Sequence, residues 1–379
     1  MPPDLAPRLP FESTANGRSR SDGTVVAIGK QQLRVTPVFD AYWQFAAERQ
    51  RIFFRRLGGT SGVVTDDPVL RLFKFTNAYR ASDRVSQYLI RHVLYRDDLP
   101  SDERNIFFRT ILFKFFNKIE TWEYLEAAVG KITWEDFSFK RFDALLSRRM
   151  AAGHRIYSAA YIMPSGGSVF GHKFKHQNHL RMLEHVIAEQ FPAKFVACKT
   201  MAAAFALLRT VPFVGPFLAY QYATDLNYSP LTSFGEDEFV MAGPGALDGI
   251  SKCFVGAGDV KSSDIIRYMF DNQERHFNDL DIEFPSLWGR PLQLIDCQNL
   301  FCEISKYARV AFPDYSGVAG RTRIKQKFQP TGVLPEPFYP PKWKIKPTPS
   351  GFQGNISVMS ATAAAVQVNS VGPRLKATL

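Results

Sequence analysis

Beyond residue 38 the apolar residues recur at helical spacing almost without interruption, and that period constrains this chain more than any other feature. "VFDAYWQFAAERQRIFFRRL" (38–57) reads as one helix, stopped by Gly58 and Gly59. "DDPVLRLFKFTNAYRASDRVSQYLIRHVLY" (66–95) reads as a long helical segment or two helices, and Ser101 is placed to cap "SDERNIFFRTILFKFFNK". "TWEYLEAAVG" and "TWEDFSFKRFDALLSRRMAAG" each open on a threonine. Further helices are expected near 172–190, 195–210, 216–226, 262–278 and 295–310. The strand signal is confined to 24–37, whose alternation fits a short hairpin. The expected fold is mainly α, with a short N-terminal β-hairpin.

The organisation expected is a disordered lead over 1–23, a helical domain over 24–328 and an extended Pro/Lys-rich tail over 329–379. The Gly-Ser loop at 163–171 is a candidate lobe boundary. The N-terminus has no apolar segment of the secretory kind, and no run approaches the roughly 18 apolar residues of a membrane helix. The formal net charge is +11. A polyanion, nucleic acid first, is the simplest partner for such a surface, beside the plain alternative of a basic soluble protein. Cys198, Cys253, Cys297 and Cys302 form no C-x-x-C pair. They give no zinc or iron–sulfur spacing, and they fit a reducing cytoplasm.

"LRTVPFVGPFLAYQYATDL" (208–226) joins two helical runs through a Pro/Gly turn. Pro216 suits a first helical position, where its missing N–H costs nothing. The turn reads either as a joint within a bundle or as a hairpin whose backbone N–H groups hold a DNA phosphate, with Val214, Gly215 and Phe217 at the contact. The helix-hairpin-helix DNA glycosylases, which this stretch resembles, carry a glycine where Phe213 stands. That resemblance implies a catalytic aspartate downstream. Asp237, 22 residues beyond Gly215, is the first candidate and Asp225 the second. Such a carboxylate stabilises an oxocarbenium-like sugar or orients a water. The alternative for Asp237 is a solvated loop acid between Glu236 and Glu238.

Two polar stripes draw attention. In "FTNAYRASDRVSQYL", Asn77, Arg80, Arg84 and Gln87 recur at helical spacing, as do Thr76 and Asp83. They line a pocket or form an internal network around Asp83. Asp296, Asn299, Glu303 and Lys306, with Gln298, form the second stripe, and Asn and Gln suit reading a base edge. Lys252 closes "MAGPGALDGISK", whose three glycines allow close backbone approach. "GAGDVKSS" is not a P-loop, since Val260 precedes Lys261, and no nucleotide-triphosphate site is legible. His172, His176, His179 and His185 cluster, but they read as a basic helix face rather than a metal site. No cofactor is expected.

The segments "AYWQFAAERQRIFFRR", "FKFTNAYRASDRVSQYLI", "FKFFNKIETWEYL", "AGPGALDGISK" and "DCQNLFCEISKYARV" together resemble a family of DNA base hypermodification proteins. It includes the helical domain of 5-hydroxymethyl-deoxyuridine DNA kinases, the alpha-glutamyl/putrescinyl thymine pyrophosphorylases and anti-phage DNA glycosylases. The resemblance spans about residues 38–325 and implies a glycosylase-like helix-hairpin-helix domain. It further implies double-stranded DNA containing modified pyrimidines as partner, and no membrane. The function expected first is hydrolytic excision of a hypermodified or glucosylated pyrimidine, plausible in anti-phage defence. The alternatives are a transferase that attaches an amine or amino acid to an activated 5-hydroxymethyl-pyrimidine, and a non-catalytic reader of modified DNA.

Overall fold

A computed structural model describes residues 23–348 except 61, 161, 162, 330, 331 and 333. The expected lead over 1–22 and the tail beyond 348 lie outside the described residues. The chain is mainly helical, at 55% helix, with a small N-terminal antiparallel strand pair. In chain order the elements are β1 (Val25–Ile28), β2 (Gln31–Val35), α1 (Pro37–Leu57), α2 (Pro68–Leu72), α3 (Arg84–Leu89), α4 (Glu103–Phe116), α5 (Ile119–Val129), α6 (Phe139–Ala151) and α7 (Gly167–Phe170). There follow α8 (Lys175–Ala188), α9 (Phe191–Ala197), α10 (Met201–Arg209), α11 (Pro216–Tyr228), α12 (Pro244–Cys253), β3 (Phe254–Val255), α13 (Ser262–Asp271), α14 (Gln273–Asp279) and α15 (Leu294–Ala311).

β1 and β2 pair as the expected hairpin, with Val25 opposite Arg34. A third strand that the sequence did not announce, β3, adds to β2 through Val35 and Phe254. Thr36 joins this sheet to the helices. Its hydroxyl accepts the Val38 N–H at 3.2 Å to cap α1, and donates to the Lys252 carbonyl. α1 buries Phe39, Tyr42, Trp43 and Phe45 against α15 and α12. α12 and α15 pack so closely that a β-carbon at Gly249 would run into the Phe301 carbonyl.

The stretch 66–95 is not one helix. Asp67 caps α2 through the Val69 and Leu70 N–H groups, both at 2.8 Å, and α2 ends after five residues. The chain then runs without regular structure to a 3-10 turn at Arg80–Ser82, then α3, then a π turn at Ile90–Leu94. Carboxylates explain the break. Glu303 accepts the Thr76 N–H (2.9 Å), Asp83 the Asn77 N–H (2.8 Å) and Asp296 the Arg80 N–H (2.8 Å). These are amide hydrogens that a continuous helix would have used itself. Residues 76–87 therefore do not share one helical face. A smaller difference lies at α4, which Asp102 caps in place of Ser101, at 3.1 Å to the Asn105 N–H.

α11 lies deep in the molecule. Every residue from Leu218 to Tyr228 is buried. The loop before it holds Phe213 at φ +62°, a left-handed conformation that favours glycine. Its ring packs edge-on to Phe170 at 5.9 Å and lies against Gly166, where a β-carbon would come within 2.9 Å of it. Residues 334–348 run back across the body as a strap and bury Tyr339.

Candidate functional site

Three elements meet around Asp225 of α11. The Arg80 guanidinium donates to its Oδ1 at 2.8 Å, and Lys114 of α4 lies 3.0 Å from its Oδ2. All three side chains are buried, at 1%, 3% and 0% exposure for Arg80, Lys114 and Asp225. Arg80 Nε also donates to Gln221 at 3.0 Å, and Lys114 to Asn117 at 2.7 Å. Burial by itself would raise the Asp225 carboxyl, but the charges of Arg80 and Lys114 outweigh it and hold the group below the usual carboxylate range. Asp296, at the start of α15, fixes Arg80 from the other side while its second oxygen accepts the Gln293 N–H at 2.9 Å. Burial pushes Asp296 up to about 6 despite those two bonds.

Tyr228, at the end of α11, lies over this cluster with the Arg80 guanidinium 5.5 Å from its ring centre. Above it Glu236 and Arg290 pair at 3.0 Å, both mostly buried. Burial raises the Glu236 carboxyl, opposed by the charges of Arg290 and Lys342 and by the indole N–H of Trp343. Trp343 belongs to the strap. The Arg290 guanidinium lies 4.0 Å from the centre of its ring, and Tyr228 meets it edge-on at 5.4 Å. The centre is thus a stack: a buried ionic cluster, a tyrosine, an Arg–Glu pair and an indole.

The residues singled out in the sequence do not all share one place. Asp225, Arg80, Asp296 and Gln298 join the buried cluster, Gln298 through Gln221 at 3.5 Å. Asn77, Asn299, Glu303 and Lys306 lie where α15 faces residues 76–80. There Lys306 pairs with Glu303 at 2.8 Å, and Arg49 reaches the Asn77 side chain at 3.0 Å. Asn299 is 8% exposed, and its amide nitrogen has no hydrogen-bond partner. Burial pushes neighbouring Asp83 up to about 7. Gln87 bridges the Ala81 carbonyl (2.7 Å) and the strap's Phe338 N–H (2.8 Å). Lys252 is buried elsewhere, donating to the Ser305 carbonyl at 2.9 Å beside Asp248.

The remaining residues stay apart from that centre. Arg84 is exposed, 3.5 Å from Glu120. Val214 is buried in the hairpin turn, and Gly215 forms the N-cap of α11 with open space around it. Phe217 lies against Gly243. Asp237 is exposed on its loop, and Arg267 holds the Asp237 backbone carbonyl at 2.8 Å. Its buried neighbour Glu236 is the acid at the centre. The histidines are held singly. His176 pairs with Asp143 at 2.8 Å, and His179 lies between the Tyr157 hydroxyl and the Pro164 carbonyl.

Sequence reasoning missed Lys114, Glu236, Arg290 and Trp343. Lys114 had a usable signal, being a lone lysine in "TILFKFF", where a helix apolar all round must be buried and its cation paired.

A strip of cations lies elsewhere on the surface. Residues 321–328 run alongside residues 72–74, with Phe328 N–H to Leu72 O at 2.9 Å and Lys74 N–H to Gln326 O at 3.0 Å. Arg321, Arg323, Lys325 and Lys327 are exposed there, as are Arg71 and Lys74 on the facing segment. Arg56 lies over the Phe328 ring at 5.9 Å. The strip offers a row of charge to a phosphate backbone.

Comparison with known proteins gives two matches. Residues 36–317 match the family described as 5-hmdU DNA kinase, helical domain. The curated 5-hmdU DNA kinase of Bacillus phage SP10 is 27% identical over 288 residues, which is 71% of this chain and 45% of that relative. The chain therefore spans less than half the length of this relative. No solved structure matches significantly. The expected resemblance to 5-hydroxymethyl-deoxyuridine DNA kinase helical domains is thus borne out. The expected reaction is corrected. A kinase transfers a group to its acceptor and leaves the glycosidic bond intact, so hydrolytic excision by a DNA glycosylase is overturned. The glycosylase and hydrolase assignments fall with it. Among the described residues no helix is long and apolar enough to cross a membrane.

Proposed function

This chain belongs to the 5-hmdU DNA kinase helical-domain family, and from that premise we propose that it serves group transfer to 5-hydroxymethyl-pyrimidines in DNA. The observation that carries the reading is the extent of the match. Residues 36–317 contain the whole ionic cluster of Arg80, Lys114, Asp225 and Asp296, together with Tyr228, Glu236 and Arg290. An enzyme that works on a base must take it out of the duplex and hold it by stacking and hydrogen bonds. Tyr228, Arg290 and Glu236 supply an aromatic ring, a planar cation and an acceptor, and the ionic cluster fixes their floor. The cation strip and the turn at Val214 and Gly215 suit contacts to phosphates. The acceptor in this reading is the exocyclic 5-hydroxymethyl group. The group transferred is a phosphoryl group, passed from a nucleoside triphosphate to the hydroxyl oxygen as the diphosphate leaves, in keeping with the name of the phage relative, or an amine that forms a C–N bond at the exocyclic carbon as the activating group leaves.

Nucleoside mass spectrometry tests this. Duplex DNA carrying 5-hydroxymethyl-deoxyuridine is incubated with the protein and either ATP and magnesium or, after chemical activation of the base, an amine donor. A mass gain on that nucleoside, with thymidine unchanged, is expected. A nucleoside pool unchanged under both conditions would overturn the transferase reading.

A further inference from the structure

Trp343 stands in a setting that suits a nucleobase better than a packing residue. The Arg290 guanidinium lies 4.0 Å from its ring centre. Tyr228 meets it edge-on at 5.4 Å and 90°, and Tyr339 lies stacked at 6.1 Å. The indole has a single polar group, its N–H, and that group acts on Glu236 to favour the ionised carboxylate. A flat heteroaromatic ring with a guanidinium 4.0 Å from its centre and a mostly buried carboxylate as electrostatic neighbour stands where a uracil-type base could sit with its N3–H toward that carboxylate. The indole is one fused ring larger than a pyrimidine, and that difference leaves space for a substituent at position 5.

The way the strap is attached supports exchange. Among the described residues, 334–348 form no strand with the body. The strap is held mainly by side chains. Lys342 donates to the carbonyls of Asn227, Ser229 (2.8 Å) and Thr232 (2.6 Å) at the end of α11, where backbone acceptors lack helical partners. Ser82 and Tyr339 share a hydroxyl contact at 2.8 Å, and Gln87 takes the Phe338 N–H. Such contacts break and re-form without unfolding a sheet.

We propose that Arg290, Glu236 and Tyr228 form a receptor for a single extrahelical pyrimidine base, and that Trp343 occupies it as the chain's own stand-in until DNA displaces it. This rests on the modified-DNA reading above and names the site at which that reading would operate. Occupancy by Trp343 lowers the apparent affinity for DNA by the fraction of molecules whose slot is closed.

The test has three parts. In the unaltered protein, hydrogen exchange of residues 334–348 should rise when duplex containing 5-hydroxymethyl-deoxyuridine is added. Protection that stays the same or increases would overturn the proposal. Trp343→Ala, or Trp343→Leu if the alanine variant does not fold, should bind that duplex at least about tenfold more tightly than the unaltered protein. Unchanged or weaker binding by a folded variant would equally overturn it. Finally, free 5-hydroxymethyl-deoxyuridine at millimolar concentration should raise the Tm of Trp343→Ala but not of the unaltered protein, and adding Glu236→Gln should abolish the shift. No shift in Trp343→Ala would refute the slot. A shift there with no preference for modified duplex in either protein would keep the slot as a pyrimidine receptor and reject the DNA function.

Discussion

Replacing Asp225 by asparagine probes the centre of the fold most sharply. The carboxylate is fully buried, 2.8 Å from Arg80 and 3.0 Å from Lys114. At an effective dielectric near 20, Coulomb's law gives about 6 kcal/mol of attraction at such distances for each pair. Desolvation of three charged groups takes back several kcal/mol per ion, so the intact cluster contributes little net stability. Removing the anion alone is different, because it leaves two buried cations facing a neutral amide. The expected cost is about 3–5 kcal/mol. Urea unfolding followed by circular dichroism should show a lower midpoint with an unchanged slope. The sign with pH is also fixed. Because Asp225 is held below its ordinary value, its contribution is present above about pH 4 and is lost as pH falls through the lowered value. The penalty of Asp225→Asn should therefore shrink in acid. The apolar triple variant Arg80→Met, Lys114→Met, Asp225→Leu should recover most of the loss at pH 7, since no charge remains to be paired. A cost below about 1 kcal/mol for Asp225→Asn, or a triple variant worse than the single, would refute this reasoning.

Other perturbations separate the remaining parts. Asp83, pushed up to about 7, favours its protonated form in the folded state, so its stabilising contribution falls as pH rises from about 4 through 7. Asp83→Asn should then gain about 1–2 kcal/mol over the unaltered protein between pH 5 and 8; a constant difference across that range in urea melts would contradict it. Gly249→Ala forces a β-carbon onto the Phe301 carbonyl and should cost about 3 kcal/mol or more, whereas a loss under about 1 kcal/mol would show that α12 and α15 can move apart. Alanine at Arg321, Arg323, Lys325 and Lys327 should weaken duplex binding regardless of sequence. It should also flatten the salt dependence by about 0.9 for each phosphate that is no longer neutralised, and an unchanged slope would remove the strip from the interface.

Much of the architecture was legible because its cues are local. The helical period, the Pro216 start of α11 and the 24–37 hairpin all rest on residues within a few positions of one another. The stretch 66–95 departs from its helical period because its geometry is imposed from outside. Glu303 and Asp296, more than two hundred residues away, take the amide hydrogens that would have continued the helix. The site was half legible. Arg80, Asp225 and Asp296 stood out as polar residues amid apolar ones, but in "FGEDEF" three acids stand in a row with no local sign of which is buried. Burial chose Glu236 over Asp237, since only the former reaches Arg290. Trp343 was hidden in a stretch that composition marks as tail, and only its distant partners on α11 and the 290 loop reveal its place. The reaction is not legible because a hairpin and an acid at a given spacing point to a fold, and a fold does not say which bond changes.

If this chain acts on 5-hydroxymethyl-pyrimidines in DNA, it should distinguish two duplexes that differ only in 5-hydroxymethyl-deoxyuridine against thymidine at a single position. Fluorescence anisotropy at one fixed salt concentration should show tighter binding of the hydroxymethylated duplex, by about tenfold, as one added buried hydrogen bond allows. Equal affinity for the two duplexes would refute recognition of the modified base.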